Sequence, residues 1–189
     1  QDSFDLRVVE GEVEFDHIVD PVFSSTGFRD IGIAAIDNER FVLAYVDGVS
    51  NNVAFSIMST DGTVLQGPFT VDSAVGANSR VSVTMINSNQ FALGWTDALL
   101  QDDLRAIYDT SGNLIFGQSF GDGAIGTQFY DVSLAEMGDR FMYCYADQAE
   151  GDADLRMYLN NGALTGAENN IDTNMASNQN LANVYDCAA

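Results

Sequence analysis

One motif appears three times in this chain at a spacing of 50 residues: Phe41-Val-Leu-Ala-Tyr-Val-Asp47, Phe91-Ala-Leu-Gly-Trp-Thr-Asp97 and Phe141-Met-Tyr-Cys-Tyr-Ala-Asp147. A glycine and an aspartate in each copy keep the same spacing: Gly62, Gly112 and Gly162, then Asp72, Asp122 and Asp172. Repeats of about 40–50 residues are typical of supersecondary units that stack on one another. The sequence therefore predicts three units, at 27–76, 77–126 and 127–176.

Each unit is predicted to contain four short strands. In the first unit they are Ile31–Ile36, the motif itself, Val53–Met58 and a strand that starts at Val64. The last two strands flank Asp61-Gly62, and Asp-Gly or Asn-Gly between apolar runs is a strong hairpin signal. The chain is rich in Val, Ile, Phe and Tyr and has only 2 Pro, which favours an all-β fold.

The motif alternates by size rather than by polarity. Phe41, Leu43 and Tyr45 share one face of the strand, which we call the bulky face, and the small or narrow residues between them form the shallow face. A strand without a polar face is covered on both sides. Large residues on one face and small ones on the other allow each sheet to fill the next. Four antiparallel strands per unit, stacked in this way, are typical of a β-propeller, and a β-sandwich is the alternative.

The two ends of the chain are each predicted to form part of a fourth sheet. Residues 1–26 have the pattern of an N-terminal half-blade, and 177–189 that of a single first strand, so that 1–189 form one domain with four blades. The split sheet closes within one chain, or strands of neighbouring copies complete it and build a fibre or ring. The apolar residues predicted to mediate that assembly alternate along the N-terminal segment: Phe4, Leu6, Val8, Val13 and Phe15.

The motif, followed by Asp61-Gly62 and then by the stretch Gly67 to Asp72, resembles a tandem propeller-type repeat of large bacterial and archaeal cell-surface proteins. The resemblance covers residues of about 4–186. It implies an exported, adhesin-like protein with a structural or adhesive role, and it transfers no catalytic residue to this chain.

Charge and cysteine content limit the location and the partners. With 28 Asp and Glu against 7 Lys and Arg, the net charge of −21 repels phosphate backbones and excludes nucleic acid as a partner. No apolar run approaches the roughly 20 residues of a transmembrane helix. We interpret Gln1 as a mature N-terminus after removal of a signal peptide, which predicts an extracellular or cell-surface location. Cys144 and Cys187 form a disulfide or are two buried thiols.

Acidic residues supply the candidate sites. Asp147, Glu150, Asp152 and Asp154 follow the third motif closely and are a candidate Ca²⁺ site, because Ca²⁺ binds carboxylate oxygens. The alternative is that Asp47, Asp97 and Asp147 cap turns. Arg105 and Arg156 are expected to form surface ion pairs with nearby aspartates.

These patterns favour a self-associating structural or adhesive protein over an enzyme. We expect no catalytic residues and no cofactor apart from the candidate Ca²⁺. The alternative function is a carbohydrate- or calcium-binding adhesin module. A glycosidase with paired carboxylates is a third hypothesis. The single histidine, His17, provides no basis for a catalytic triad.

Overall fold

The computed structural model describes residues 5–9, 12–16, 27–120, 129–147, 152–166 and 169–172. These residues form strands, turns and connecting segments, and no helix is present among them. In particular, the described ranges hold no helix with the length and apolarity needed to cross a bilayer.

The strands form one hairpin and three sheets. The hairpin consists of β1 (Asp5–Val9) and β2 (Glu12–Asp16). The first sheet consists of β3 (Phe28–Ala35), β4 (Arg40–Asp47), β5 (Val53–Ser59) and β6 (Val64–Asp72). The second sheet consists of β7 (Val81–Asn87), β8 (Gln90–Asp97), β9 (Asp102–Asp109) and β10 (Leu114–Phe120). The third sheet consists of β11 (Phe129–Glu136), β12 (Arg140–Asp147), β13 (Asp152–Leu159) and β14 (Asn169–Asp172).

Each sheet is an antiparallel meander with its strands in chain order, and the repeated motif is the second strand of all three. The all-β prediction is confirmed. The fourth strand of the third sheet starts later than the repeat predicts, since the repeat would place its start at Leu164, the equivalent of Val64. Leu164 makes only an isolated bridge to Tyr158, and β14 begins at Asn169.

The three repeated glycines occupy equivalent hairpin turns, as the sequence predicts. The φ angles of Gly62, Gly112 and Gly162 are +86°, +81° and +86°. Each glycine N–H donates to the carbonyl three residues earlier, for example from Gly112 to Asp109 at 2.9 Å. A residue with a β-carbon rarely adopts this left-handed conformation, which explains the glycine at each turn.

The sheets stack with the bulky face of one on the shallow face of the sheet before it. A β-carbon built on Gly94, on the shallow face of the second sheet, would lie 2.8 Å from Cε2 of Tyr143 in the third. One on Gly32 in the first sheet would lie 3.2 Å from Cγ1 of Val83 in the second. Small residues on the shallow face are therefore required for this close approach, and the predicted stacking is confirmed at both junctions.

Side chains on the two outermost faces of this three-sheet stack are buried as well. Phe41, Leu43 and Tyr45, on the bulky face of the first sheet, are buried, with 6%, 4% and 4% of their surfaces exposed. Ser133 and Cys144, on the shallow face of the third sheet, are also buried. These side chains are therefore already shielded from solvent and offer almost no exposed surface to a second copy of the chain.

Candidate functional site

The first strands of the three sheets meet around a cavity of about 370 Å³. Strand β7 lies between β3 and β11 and contacts both. The cavity is lined by the following residues: Asp30, Ile31, Gly32, Ile33, Val81, Ser82, Val83, Val132, Ser133 and Leu134. Ile31 and Ile33 are each 46% exposed, so the cavity is open on the side of the first sheet.

Two polar side chains at this cavity join neighbouring sheets. The backbone N–H of Val81 donates to Oδ2 of Asp30 at 2.7 Å, and that of Leu134 donates to Oγ of Ser82 at 3.1 Å. Burial raises the pKa of Asp30 above its ordinary value, while the Val81 amide and the charge of Arg80 oppose the rise. Both side chains thus satisfy backbone donors on the edge of the next sheet.

The first two motif aspartates cap the turns that follow them. Oδ1 of Asp47 accepts the N–H of Val49 at 2.7 Å, and Oδ1 of Asp97 accepts that of Leu99 at 2.8 Å. The Val49 amide is the main cause that lowers the pKa of Asp47. The turn-capping hypothesis is confirmed for Asp47 and Asp97, and the side chain of Asp147 lies outside the described residues.

The candidate Ca²⁺ residues are described only in part. Asp154 is opposite Tyr145 in the β12–β13 ladder and is 3% exposed, so its carboxylate lies between the second and third sheets. Glu150 and the side chains of Asp147 and Asp152 lie outside the described residues. Among the side chains that are described, no three His, Cys, Asp or Glu groups come close enough to hold a metal. The calcium site stays a prediction.

Cys144 is buried on the shallow face of the third sheet and is disulfide-bonded. Cys187 lies outside the described residues, so the predicted pairing is not tested there. In the hairpin, the backbone register places Leu6 opposite Phe15 and Val8 opposite Val13. Their side chains and the whole of Phe4 lie outside the described part.

A set of charged residues between the second and third sheets was missed by the sequence analysis. Arg105 is only 5% exposed, which contradicts the expected surface ion pair. Its Cζ lies 3.7 Å from the ring centroid of Tyr158 and 5.0 Å from that of Phe116. The Nε and Nη1 atoms are buried and have no hydrogen-bond acceptor among the described residues. Two aromatic rings therefore hold this guanidinium group.

Tyr143 lies beside these charges in the interior of the stack. Its hydroxyl donates to the carbonyl oxygen of Leu104 at 3.1 Å, which links the second strand of the third sheet to β9. Burial raises the pKa of Tyr143 well above its ordinary value, and the Asp103 carboxylate adds to the rise. This tyrosine stays neutral and acts as a hydrogen-bond donor across the junction.

Comparison with known proteins adds no assignment to this geometry. The sequence matches no protein-family model, and no curated protein matches it. The arrangement of the sheets and their side chains therefore carries the information about function.

Proposed function

We propose that the chain is a propeller-type module with the first strand of each sheet innermost, and that it has a structural or adhesive role. The observation that carries this proposal is the same bulky-on-shallow packing at two successive junctions. Adjacent first strands that surround a cavity also support the proposal, because propeller blades are arranged around a central channel. Strands β6 and β10 carry the most exposed residues of their sheets, as expected for outermost strands.

The roles of the described carboxylates favour a structural function over a catalytic one. Asp30 binds the edge of the next sheet, and Asp47 and Asp97 cap turns. Asp109 accepts three hydrogen bonds from Ser111 and Asn113 in the turn after β9. Each of these carboxylates is engaged by donors of the fold itself.

The disulfide supports an extracellular location. Disulfides form and persist mainly in oxidising compartments, and Cys144 is disulfide-bonded. The net charge of −21 gives such a protein high solubility and disfavours binding to other anionic surfaces.

The hairpin β1–β2 is the proposed site of self-association. It forms a two-stranded sheet of its own within the described residues, whereas the other three sheets have four strands each. A two-stranded sheet has backbone donors and acceptors on both outer edges, and an added strand satisfies them. A second copy that supplies such a strand would extend the assembly.

Small-angle X-ray scattering with negative-stain electron microscopy tests the arrangement. A closed module of this length has a radius of gyration of about 16 Å, and the monomer fraction is expected to have this value. Filaments or rings at higher concentration would support association between copies. A markedly larger, elongated monomer would contradict the propeller arrangement.

A further inference from the structure

The two junctions between sheets pack in the same way, but the residues of their third strands differ. They are apolar at the first junction and charged at the second. Val46 is opposite Val53 in the first sheet, and Thr96 is opposite Asp103 in the second. Asp103 therefore occupies the position of Val53, and Arg105 that of Phe55, on the shallow face. The apolar pair of the first sheet is replaced by a charged pair in the second.

The facing strands change in the same way. Trp95 is opposite Leu104, and Tyr145 is opposite Asp154. Asp154 and Arg156 in β13 thus occupy the bulky-face positions of Leu104 and Ala106 in β9. Asp154 is buried and Arg156 is half-buried. At the second junction, β9 and β13 therefore each contribute one aspartate and one arginine.

Arg105 takes the place of an aromatic ring. In the junction of the first and second sheets, the rings of Phe55 and Tyr108 have their centroids 4.7 Å apart. In the next junction, Cζ of Arg105 lies 3.7 Å from the ring centroid of Tyr158, the equivalent of Tyr108. The position beside this tyrosine is therefore occupied by a phenyl ring at one junction and by a guanidinium group at the other.

We propose that Asp103, Arg105, Asp154 and Arg156, which we call the charged key, determine which sheets stack on each other. Apart from these residues and the close approach of Tyr143 to Gly94, the sheets share the stacking pattern of one repeat. If the third sheet stacked on the first, Asp154 and Arg156 would face Val53 and Phe55, and their charges would be buried against apolar groups. Such burial without compensation is unfavourable, so the key permits one order of sheets within a chain and opposes exchange between chains.

A complete exchange of the key tests this proposal. The variant Asp103→Val, Arg105→Phe, Asp154→Leu and Arg156→Ala gives the second junction the third-strand residues of the first. The complete exchange also includes Ala44→Gly, because a β-carbon at the equivalent Gly94 would lie 2.8 Å from Cε2 of Tyr143. The bulky face of the third sheet then fits the first sheet as well as the second.

Trp95 reports the stacking order. It is the only tryptophan of the chain, is fully buried, and its indole N–H is bound to Asp72 of the first sheet. After unfolding in urea and refolding, the parent is expected to show one indole N–H resonance. The complete exchange is expected to show a second resonance and red-shifted fluorescence. In chains whose third sheet stacks on the first, the second sheet is displaced and Trp95 loses its buried position.

Two half-exchanges measure the complementarity of the key. Asp103→Val with Arg105→Phe, or Asp154→Leu with Arg156→Ala, leaves charges facing an apolar surface. Each half-exchange is expected to unfold at lower urea concentration than the complete exchange. The control, Val53→Ile with Leu104→Met, changes the first junction without charge and is expected to keep one indole resonance.

Three results would overturn the proposal. The first is a complete exchange that refolds to the single indole resonance of the parent. The second is a complete exchange that does not fold, because the two sets would then not be interchangeable. The third is a pair of half-exchanges as stable as the parent. None of these results depends on whether the module closes or associates.

Discussion

The indole Nε1 of Trp95 donates a hydrogen bond of 3.0 Å to Oδ2 of Asp72, and this bond joins the second sheet to the end of the first. Nε2 of Gln118 donates to the same oxygen, also at 3.0 Å. Trp95 and Asp72 each belong to a column that recurs every 50 residues. At this junction, residues of two repeated columns therefore form a polar link between successive sheets in addition to their packing.

Removing the acceptor of this link is expected to destabilise the chain. In Asp72→Ala the buried indole N–H loses its partner, which costs about 1–3 kcal/mol of the free energy of unfolding. Urea unfolding followed by Trp95 fluorescence measures the loss. Asp139→Ala, which removes an exposed partner of Arg140, is the matched control and should leave the midpoint nearly unchanged. Equal midpoints for the two variants would contradict the structural role of Asp72.

A side chain at Gly112 is expected to be destabilising for two reasons. Its φ of +81° strains any residue with a β-carbon, and that β-carbon would lie 2.6 Å from Cε2 of Phe69. Gly138 has a φ of +77° and nothing within 4 Å, so Gly138→Ala measures the strain alone. Gly112→Ala should cost about 1 kcal/mol for the strain and more for the contact.

The loss of stability in Gly112→Ala exceeds that in Gly138→Ala by an amount, here called the excess, that is due to the contact with Phe69. Thermal unfolding of both variants measures it, and Phe69→Leu should reduce the excess because it frees space at the turn. An excess of zero would show that the turn of the second sheet does not pack on the first.

The stability of the chain is expected to depend on pH through Asp30. Burial raises its pKa in the folded state, so the folded chain binds this proton more tightly than the unfolded chain. The resulting stabilisation is complete below the unfolded pKa, of about 3.9, and is lost as pH rises through the folded value. Asp30→Asn keeps an acceptor for Val81 and does not titrate.

Unfolding of the parent and of Asp30→Asn at a series of acidic pH values tests this linkage. The stability of the parent relative to the variant should fall as pH increases from about 3 towards neutrality. A relative stability that rises over this range would mean that the Val81 amide and Arg80 outweigh burial.

Calcium distinguishes the structural function from its alternative. For a structural module we expect the same melting temperature in EDTA and in saturating Ca²⁺. A saturable increase that is lost in Glu150→Gln would instead support the calcium-binding module. Asp154→Asn is compared with Glu150→Gln, because the Asp154 carboxylate lies between the sheets rather than in the loop.

The sequence was sufficient for the features that repeat and insufficient for those that differ between repeats. Period, strand order, turn glycines and stacking faces depend on columns of similar residues, which a single sequence displays. The charged key was missed because Asp103-Leu104-Arg105 and Asp154-Leu155-Arg156 look equivalent, although they are 51 residues apart. The ladders place Arg105 opposite Gly94 and Leu155 opposite Cys144, so the two triplets are displaced by one residue and point to opposite faces.

The link between Asp30 and Val81 could not be predicted for a different reason. Asp30 belongs to β3 and Val81 to β7, and the bond exists only because neighbouring sheets bring their first strands together. Sequence patterns specify which face of a strand is apolar. They do not specify which backbone group on another sheet a polar side chain meets.

The hairpin β1–β2 is expected to be required for self-association. Val8 is opposite Val13, and proline at both positions removes backbone N–H groups and disrupts the pairing of the two strands. Val8→Pro with Val13→Pro, like deletion of 1–16, should therefore abolish self-association. The three sheets should remain folded in both cases, because residues of the sheets themselves pack the two junctions.

Size-exclusion chromatography with light scattering measures the mass of these variants, and circular dichroism checks their folding. Val8→Thr with Val13→Thr is the matched control, since threonine is also β-branched and keeps both N–H groups. This control should associate like the parent. A parent that stays monomeric at every concentration tested would show that the hairpin edges are satisfied within one chain, and association by strand addition would then be wrong.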